Sequence, residues 1–243
     1  MDIDSFSDLV KRRRSIRRFK PDPVPDEQVT KILEAARFAM SGGHAQPWEF
    51  VVVRDREKIG RIAGAYSEHH MVRSQIMEQI KVEEMRHPLL GHATGRPGLA
   101  EAPVIIVVCG DPRTLLASTV IARFLCSDPD STFYMNLGNV TQLIHLAAAA
   151  LGLGAQWVSV SRIVERDLKD ILGIPEVFRI LSFVPIGFPA YQPTPLRRRE
   201  LSDIVHYDHY DQSRYRTDEG IREWVVALRG HQNPGHRGRN QQG

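Results

Sequence analysis

Pro103-Val104-Ile105-Ile106-Val107-Val108 is a proline followed by an unbroken β-branched run, and its reading decides the fold. β-Branched side chains are stiff at χ1 and suit a pleated surface. With no polar residue alternating through it, the run reads as a strand buried on both faces, so helices must cover both sides of a sheet. Phe50–Val53, Ala155–Val160 and Ile180–Ile186 read as further strands. Pro185 implies that the last of these meets an edge or a bulge near its end. Between the strands the apolar spacing turns helical. Ile3, Phe6, Leu9 and Val10 share one side of an opening helix. Val29, Ile32, Leu33, Ala36 and Met40 follow an Asp26 N-cap as far as Gly42-Gly43. Ile59 to His87 is helical but polar, and a loop with Gly91, Gly95, Pro97 and Gly98 follows it. Phe133 to Leu151 is apolar on nearly every side and therefore central. Val164, Leu168, Ile171 and Leu172 lead to a C-capping Gly173. Ile221, Trp224, Val225 and Leu228 form a last stripe behind Thr217 or Asp218. No internal repeat or composition shift marks a boundary, which predicts one α+β domain.

The composition is that of a globular protein: 243 residues, 42% hydrophobic, 25% charged and 7% aromatic. The net charge of +3 falls short of what a dedicated nucleic-acid binder carries. Two cysteines, Cys109 and Cys126, are too few for a disulfide framework or a four-cysteine metal site and read as reduced thiols. The longest nearly uncharged apolar stretch, Leu143 to Ala155, is short of the roughly 18 residues a membrane span needs. An acidic N-terminus with no apolar region behind it predicts no signal peptide, and the expected address is the cytoplasm. Gly230 to Gly243 reads as a polar tail.

Lys11 to Lys20 holds seven basic residues in ten. Three readings compete for it: cations that complement a helix C-terminus, a nucleic-acid patch, and a phosphate site of guanidinium forks with Ser15 among them. Ile16 and Phe19 favour a segment that faces a core over a solvated arm. Arg197-Arg198-Arg199 is a candidate to complete the same anion site. Ser41-Gly42-Gly43-His44-Ala45-Gln46-Pro47-Trp48 is a glycine-rich turn without the Lys-Ser/Thr of a P-loop, and Gly152-Leu153-Gly154 lacks the third glycine of a dinucleotide fingerprint. Trp48 reads as core. His69-His70 has no metalloprotease frame, Glu83-Glu84 reads as solvated, and neither cysteine sits in a nucleophile motif, so no metal site is expected. An anion-binding fold without a reagent side chain points to a cofactor as the reagent.

Arg13-Arg14-Ser15-Ile16-Arg17-Arg18-Phe19 resembles the opening motif of the FMN-dependent nitroreductase family. The likeness continues in order through Ser41–Trp48, Ala102-Pro103, Gly152–Ser159, Leu172–Pro175, Pro185–Pro189 and the arginines before Leu201, covering about residues 5 to 207. It implies an α+β homodimer with a mixed central sheet flanked by helices and one FMN at each subunit interface. The cofactor domain would span 1–207, with 208–243 a C-terminal extension whose helix, bearing Trp224, embraces the partner. By position, Arg13, Arg14, Ser15 and Arg17 would hold the FMN phosphate and ribityl chain, with Arg198 closing on the phosphate and Arg197 and Arg199 as register alternatives. His44, Gln46 and Pro47 would approach from the partner. Trp157, Val158 and Ser159 would lie along the isoalloxazine.

The resemblance further implies ping-pong transfer from NAD(P)H through flavin N5 to a small organic acceptor, nitroaromatic or quinone, with Arg17 stabilising the anionic reduced ring. It leaves open NADH against NADPH. The Gly-Leu-Gly and Ser-Gly-Gly-His stretches resemble the dimethylbenzimidazole synthases and iodotyrosine dehalogenases within the family, so flavin fragmentation and reductive dehalogenation stand as alternatives. For a dehalogenase lid the 64–100 region offers Tyr66, Glu68, Lys81 and Glu83, without a matching spacing. An Arg-rich nucleic-acid-binding protein is the non-enzyme alternative.

Overall fold

The β-branched run is the middle of the sheet. In this computed structural model, which describes residues 2–81, 97–117, 129–193 and 198–232, β1 is Trp48–Val53, β2 Val104–Gly110, β3 Gly154–Ala155, β4 Val158–Ser159 and β5 Arg179–Gly187. β2 is buried at every position. It lies between β1 and β5, and β3 and β4 pair with the far side of β5. Among the described residues every strand pair is antiparallel, so the mixed sheet expected from the resemblance is corrected; the one parallel contact described is the isolated Ser15–Ala155 bridge.

The helices are α1 (Ile3–Arg12), α2 (Asp26–Ala36), α3 (Arg56–Ile80), α4 (Pro97–Glu101), α5 (Arg113–Ala117), α6 (Pro129–Ala150), α7 (Arg162–Leu172) and α8 (Asp218–Gln232). α2, α3, α4, α6 and α7 pack on the sheet, and the two-residue period of β2 splits its side chains between two cores. Ile105, Val107 and Cys109 meet Ile59 and Ile62 of α3, Leu99 of α4 and Leu168 of α7. Val104, Ile106 and Val108 meet Ile32 of α2 and Leu137, Val140 and Ile144 of α6. No described helix is long and apolar enough to cross a membrane.

Three sequence expectations need correction. Asp26 is the first residue of α2 rather than its cap; Pro25 occupies the cap with no side-chain bond. That helix stops at Ala36, short of Met40, and Phe38 and Met40 stand in solvent. Pro185 is not near an edge but inside β5, opposite Ile105 of β2. Its effect falls on the neighbouring strand. In a strand the N–H and C=O of one residue point the same way, and the Pro185 carbonyl accepts from the Gln156 N–H at 3.2 Å on the β3–β4 side. The proline therefore offers no N–H to that side, and the expected strand Ala155–Val160 breaks there into β3 and β4. The other caps are as expected: Gly173 takes φ 69° behind α7, and the Thr217 hydroxyl accepts from Gly220 N–H at 3.2 Å ahead of α8.

The chain forms two compact units: Met1–Val72 with Thr94–Pro193, and Arg73–Ala93 with Thr194–Gly243. The first contains the whole sheet. In the second, Arg214 ties the chain together by donating to the carboxylate of Asp211 and the carbonyls of Ser202 and Val205.

Within the first unit the basic segment is laid along the sheet. Ile16 N–H donates to Ala155 O at 3.0 Å, Lys20 N–H to Phe188 O at 2.9 Å, and Ala190 N–H to Arg18 O at 3.1 Å. Ile16 and Phe19 are buried. Ile16 fits because position 154 is glycine: a Cβ there would sit 2.6 Å from Ile16 Cβ. Gly154→Val should cost about 2 kcal/mol by overpacking and Ile16→Ala about 3 kcal/mol by leaving a cavity. Because the new methyls would occupy that cavity, the double variant should lose clearly less than the sum in urea unfolding; simple additivity would show that the contact is not shared.

Candidate functional site

α1 ends where the arginines begin. Arg13 N–H closes the helix on Leu9 O at 2.9 Å, and Arg14 Nη1 folds back onto the carbonyls of Lys11 and Arg13. Arg14 thus serves the helix C-terminus, where a cation is favoured. Arg13, Arg14 and Ser15 are half-buried while Arg17 and Arg18 are exposed. Arg18 pairs with Glu101 at 3.4 Å. Arg17 is held by its backbone: its N–H donates to the Tyr191 hydroxyl at 3.2 Å, and that hydroxyl donates to Ser15 O at 3.5 Å. Gly98 lies flat on Arg17 from the other side; a Cβ at 98 would fall 1.6 Å from Arg17 O.

The strap brings the arginines to the broken strand. Ser15 bridges Ala155, two residues before Trp157. Val158 pairs with Phe183 and is buried; Ser159 pairs with Ser182 and faces solvent. Trp157, between β3 and β4, is half-buried and its ring lies parallel to that of His145 of α6, with centroids 6.2 Å apart and planes 7° apart. Five of the expected positions, Arg13, Arg14, Ser15, Trp157 and Val158, thus gather along one margin of the sheet, with Arg17 and Ser159 at its exposed ends.

The glycine-rich turn goes elsewhere in the chain. Gly42–His44 is one turn of 3-10 helix, and Gly43, His44 and Gln46 adopt φ of 59°, 55° and 44°. Positive φ in two non-glycine residues is strain held by the surroundings. Gly42 N–H donates to Asn136 Oδ1 at 3.1 Å, Asn139 Nδ2 to Met40 O at 3.2 Å, and Gln46 N–H to Ser41 Oγ at 3.0 Å. His44 and Gln46 are exposed, whereas Pro47 and Trp48 are buried. The anchors Asn136 and Asn139 lie on α6, as do Gly138 and His145 beneath Trp157. Asn136 and His145 are nine residues apart, about 13 Å along the axis and half a revolution round it. Asn139 is about a third of a revolution from His145, so within one chain the two parts of the expected site meet different faces of α6.

Arg198 is exposed and belongs to the second unit. Arg199 donates to Asp203 O; Arg197, Glu83, Glu84 and Cys126 lie outside the described residues. Cys109 is buried, and burial followed by the Glu49 charge pushes its thiol up to about 12, which makes it inert. His69 pairs with Asp167 at 3.4 Å, and no cluster of metal-binding side chains occurs among the described residues. Tyr66, a candidate lid residue, stacks on His70 and packs edge-on against Phe183, so it belongs to the core margin. Sequence reasoning missed Tyr191, Gly98, Asn136 and His145. Each acts through a distant neighbour, and the one local signal among them is Gly98 directly behind a proline.

Comparison with known proteins places the chain in a family. Residues 10–188 match the model of the nitroreductase family. An Archaeoglobus fulgidus protein named as a candidate NADH dehydrogenase/NAD(P)H nitroreductase is 32% identical over 74% of this chain and 83% of its own. The 5,6-dimethylbenzimidazole synthase of Rhodospirillum rubrum is 29% identical over 79% of this chain and 86% of its own. A solved iodotyrosine deiodinase bound to FMN and 3-iodo-L-tyrosine shares the fold with a TM-score of 0.63 at 24% identity, covering 84% of this chain and 99% of that one. The chain belongs to the nitroreductase family.

Proposed function

We propose that the protein is an FMN-dependent oxidoreductase that uses NAD(P)H to reduce a small organic acceptor, such as a nitroaromatic or a quinone, and works as a homodimer. The observation that carries this reading is the half-buried Arg13-Arg14-Ser15 segment laid against the broken strand at Trp157–Ser159. Cationic forks end where an apolar ledge begins, which suits a flat aromatic group that carries a phosphate. The residues fit that group. Asn136 Nδ2 is buried without a partner at the anchor of the glycine-rich turn, a donor left over where a ligand would need one.

FMN, when bound, supplies two-electron chemistry between NAD(P)H and the acceptor. Arg13, Arg14 and Ser15 would hold the phosphate and ribityl chain through charge-assisted hydrogen bonds. Trp157 and Val158 would support the ring, and Ser159 would offer its hydroxyl and backbone N–H to the ring edge. Arg17, whose backbone is fixed by Tyr191 and Gly98 while its side chain stays exposed, would place positive charge where negative charge develops.

The separation around α6 supports the dimer. His44, Gln46 and Pro47 lie at a different face of that helix from the rest of the site in their own chain, so they would serve the site of a second copy. Ile3, Phe6 and Val10 of α1, Phe38 and Met40 behind α2, and Met135 of α6 are exposed apolar residues that such a copy would cover. The dimethylbenzimidazole synthase among the relatives carries a second reading, in which FMN is consumed. The buried Ile16 and Phe19 argue against a solvated nucleic-acid arm.

Soaking the purified protein in FMN and desalting it should leave a flavin absorption spectrum, and NAD(P)H with a quinone should then turn over repeatedly. Oxygen-dependent loss of the flavin would select the synthase reading, and a protein that stays colourless would overturn both. Arg17→Ala should retain FMN yet be reduced by NAD(P)H about 100-fold more slowly in stopped flow; an unchanged rate would remove that role. Phe6→Asp should shift sedimentation towards monomer and release FMN in step. A monomer that still held FMN at full affinity would refute the shared site.

A further inference from the structure

Ser15 to Lys20 runs beside the sheet as a strap whose backbone divides by parity. The even residues bond inward: Ile16 N–H donates to Ala155 O, Arg18 O accepts from Ala190 N–H, and Lys20 N–H donates to Phe188 O. The N–H and C=O of one strand residue point the same way, so Ser15 and Arg17 turn theirs to the outer edge. There Ser15 C=O and Arg17 N–H lie next to one another, the pair of groups that a single residue of a neighbouring strand would fill. The Tyr191 hydroxyl fills it instead, accepting from Arg17 N–H at 3.2 Å and donating to Ser15 O at 3.5 Å. The strap itself delivers that hydroxyl, because Phe19 bridges Pro189 just before Tyr191.

Tyr191 is 39% exposed, so its two bonds compete with water and add little to global stability. Their effect is local. Ser15 and Arg17 present their side chains on one face of the strap, opposite the buried Ile16. The Arg17 peptide is confined at its other end by Gly98, which lies against Arg17 O. The Arg17 guanidinium makes no hydrogen bond or ion pair among the described residues, so the backbone is what restrains where that side chain starts.

We propose that Tyr191 is a positioning residue: its hydroxyl sets the Ser15–Arg17 arc and, through it, the approach of the Arg17 guanidinium to the flavin ring. This rests on the FMN reading above and on the role given there to Arg17. A hydride taken from NAD(P)H carries two electrons and one proton and so adds one negative charge. A guanidinium already held in place meets that charge without first being ordered.

Tyr191→Phe keeps the ring and removes only the hydroxyl. Arg17→Ala removes the guanidinium but keeps the N–H that the hydroxyl binds, so the two changes form a clean double-mutant cycle. In the flavin-free protein, Tyr191→Phe should speed amide hydrogen exchange at Arg17 about tenfold while the melting temperature stays within about 2 °C of the parent's. With FMN saturating, it should slow reduction by NAD(P)H about tenfold in stopped flow, but less than about twofold in the Arg17→Ala background. A hydroxyl with a merely structural role would lower the melting temperature and slow both backgrounds alike. With an FMN-loaded parent, unchanged exchange at Arg17, a parent-like reduction rate or an equal loss in both backgrounds would overturn this proposal alone. A parent that takes up no FMN would overturn it together with the FMN reading.

Discussion

The burial of Ile16 and Phe19 is the contact on which the rest of the site depends. Five of the residues around them, from Arg13 to Arg18, are charged or polar, and such a stretch left to itself would extend into water. Two apolar side chains seated 3% and 5% exposed reverse that preference. Each is worth about 2 kcal/mol of transfer free energy, enough to hold the intervening backbone on the sheet margin. The backbone then pairs: Ile16 with Ala155 on one side, Lys20 and Arg18 with Phe188 and Ala190 on the other. The arginines point where they do because the hydrophobic residues between them point the other way.

Glycine makes that burial possible at three distant places. Gly154 under Ile16, Gly187 under the Phe19 ring and Gly98 against Arg17 O all lack the Cβ that would push the segment off the sheet. Pro185 contributes in another way. By withholding one N–H it divides the neighbouring strand at Gln156 and Trp157 while the register runs on unchanged, beside the bridge that carries Ser15. The cationic margin and the aromatic ledge therefore come from opposite kinds of backbone restriction, brought together by one parallel bridge.

Much of this was legible in the sequence, for identifiable reasons. The β-branched run of β2 and the stripes of α2, α6 and α7 are local patterns, and local patterns survive folding when the core confirms them. That the Arg13–Phe19 segment faces a core was legible because Ile16 and Phe19 interrupt the charges. What was not legible is non-local. Nothing near Pro185 says that β5 has neighbours on both sides, and nothing near Tyr191 says that its hydroxyl lies between Arg17 and Ser15, 174 and 176 residues away. α2 stopped short for a related reason: Met40 has helical spacing, but it is exposed, so no packing extends the helix to it.

A helix apolar nearly all round belongs in a core, yet α6 carries Asn136 and Asn139 on one side and His145 on another. The asparagines grip the glycine-rich turn in a conformation with two non-glycine residues at positive φ, which costs of order 1–3 kcal/mol per residue. The histidine lies under Trp157 with its nitrogens unpaired. Strain on one side and an unsatisfied group on the other are both unfavourable for the isolated chain, and the core contacts of α6 with β2 are what let the fold tolerate them.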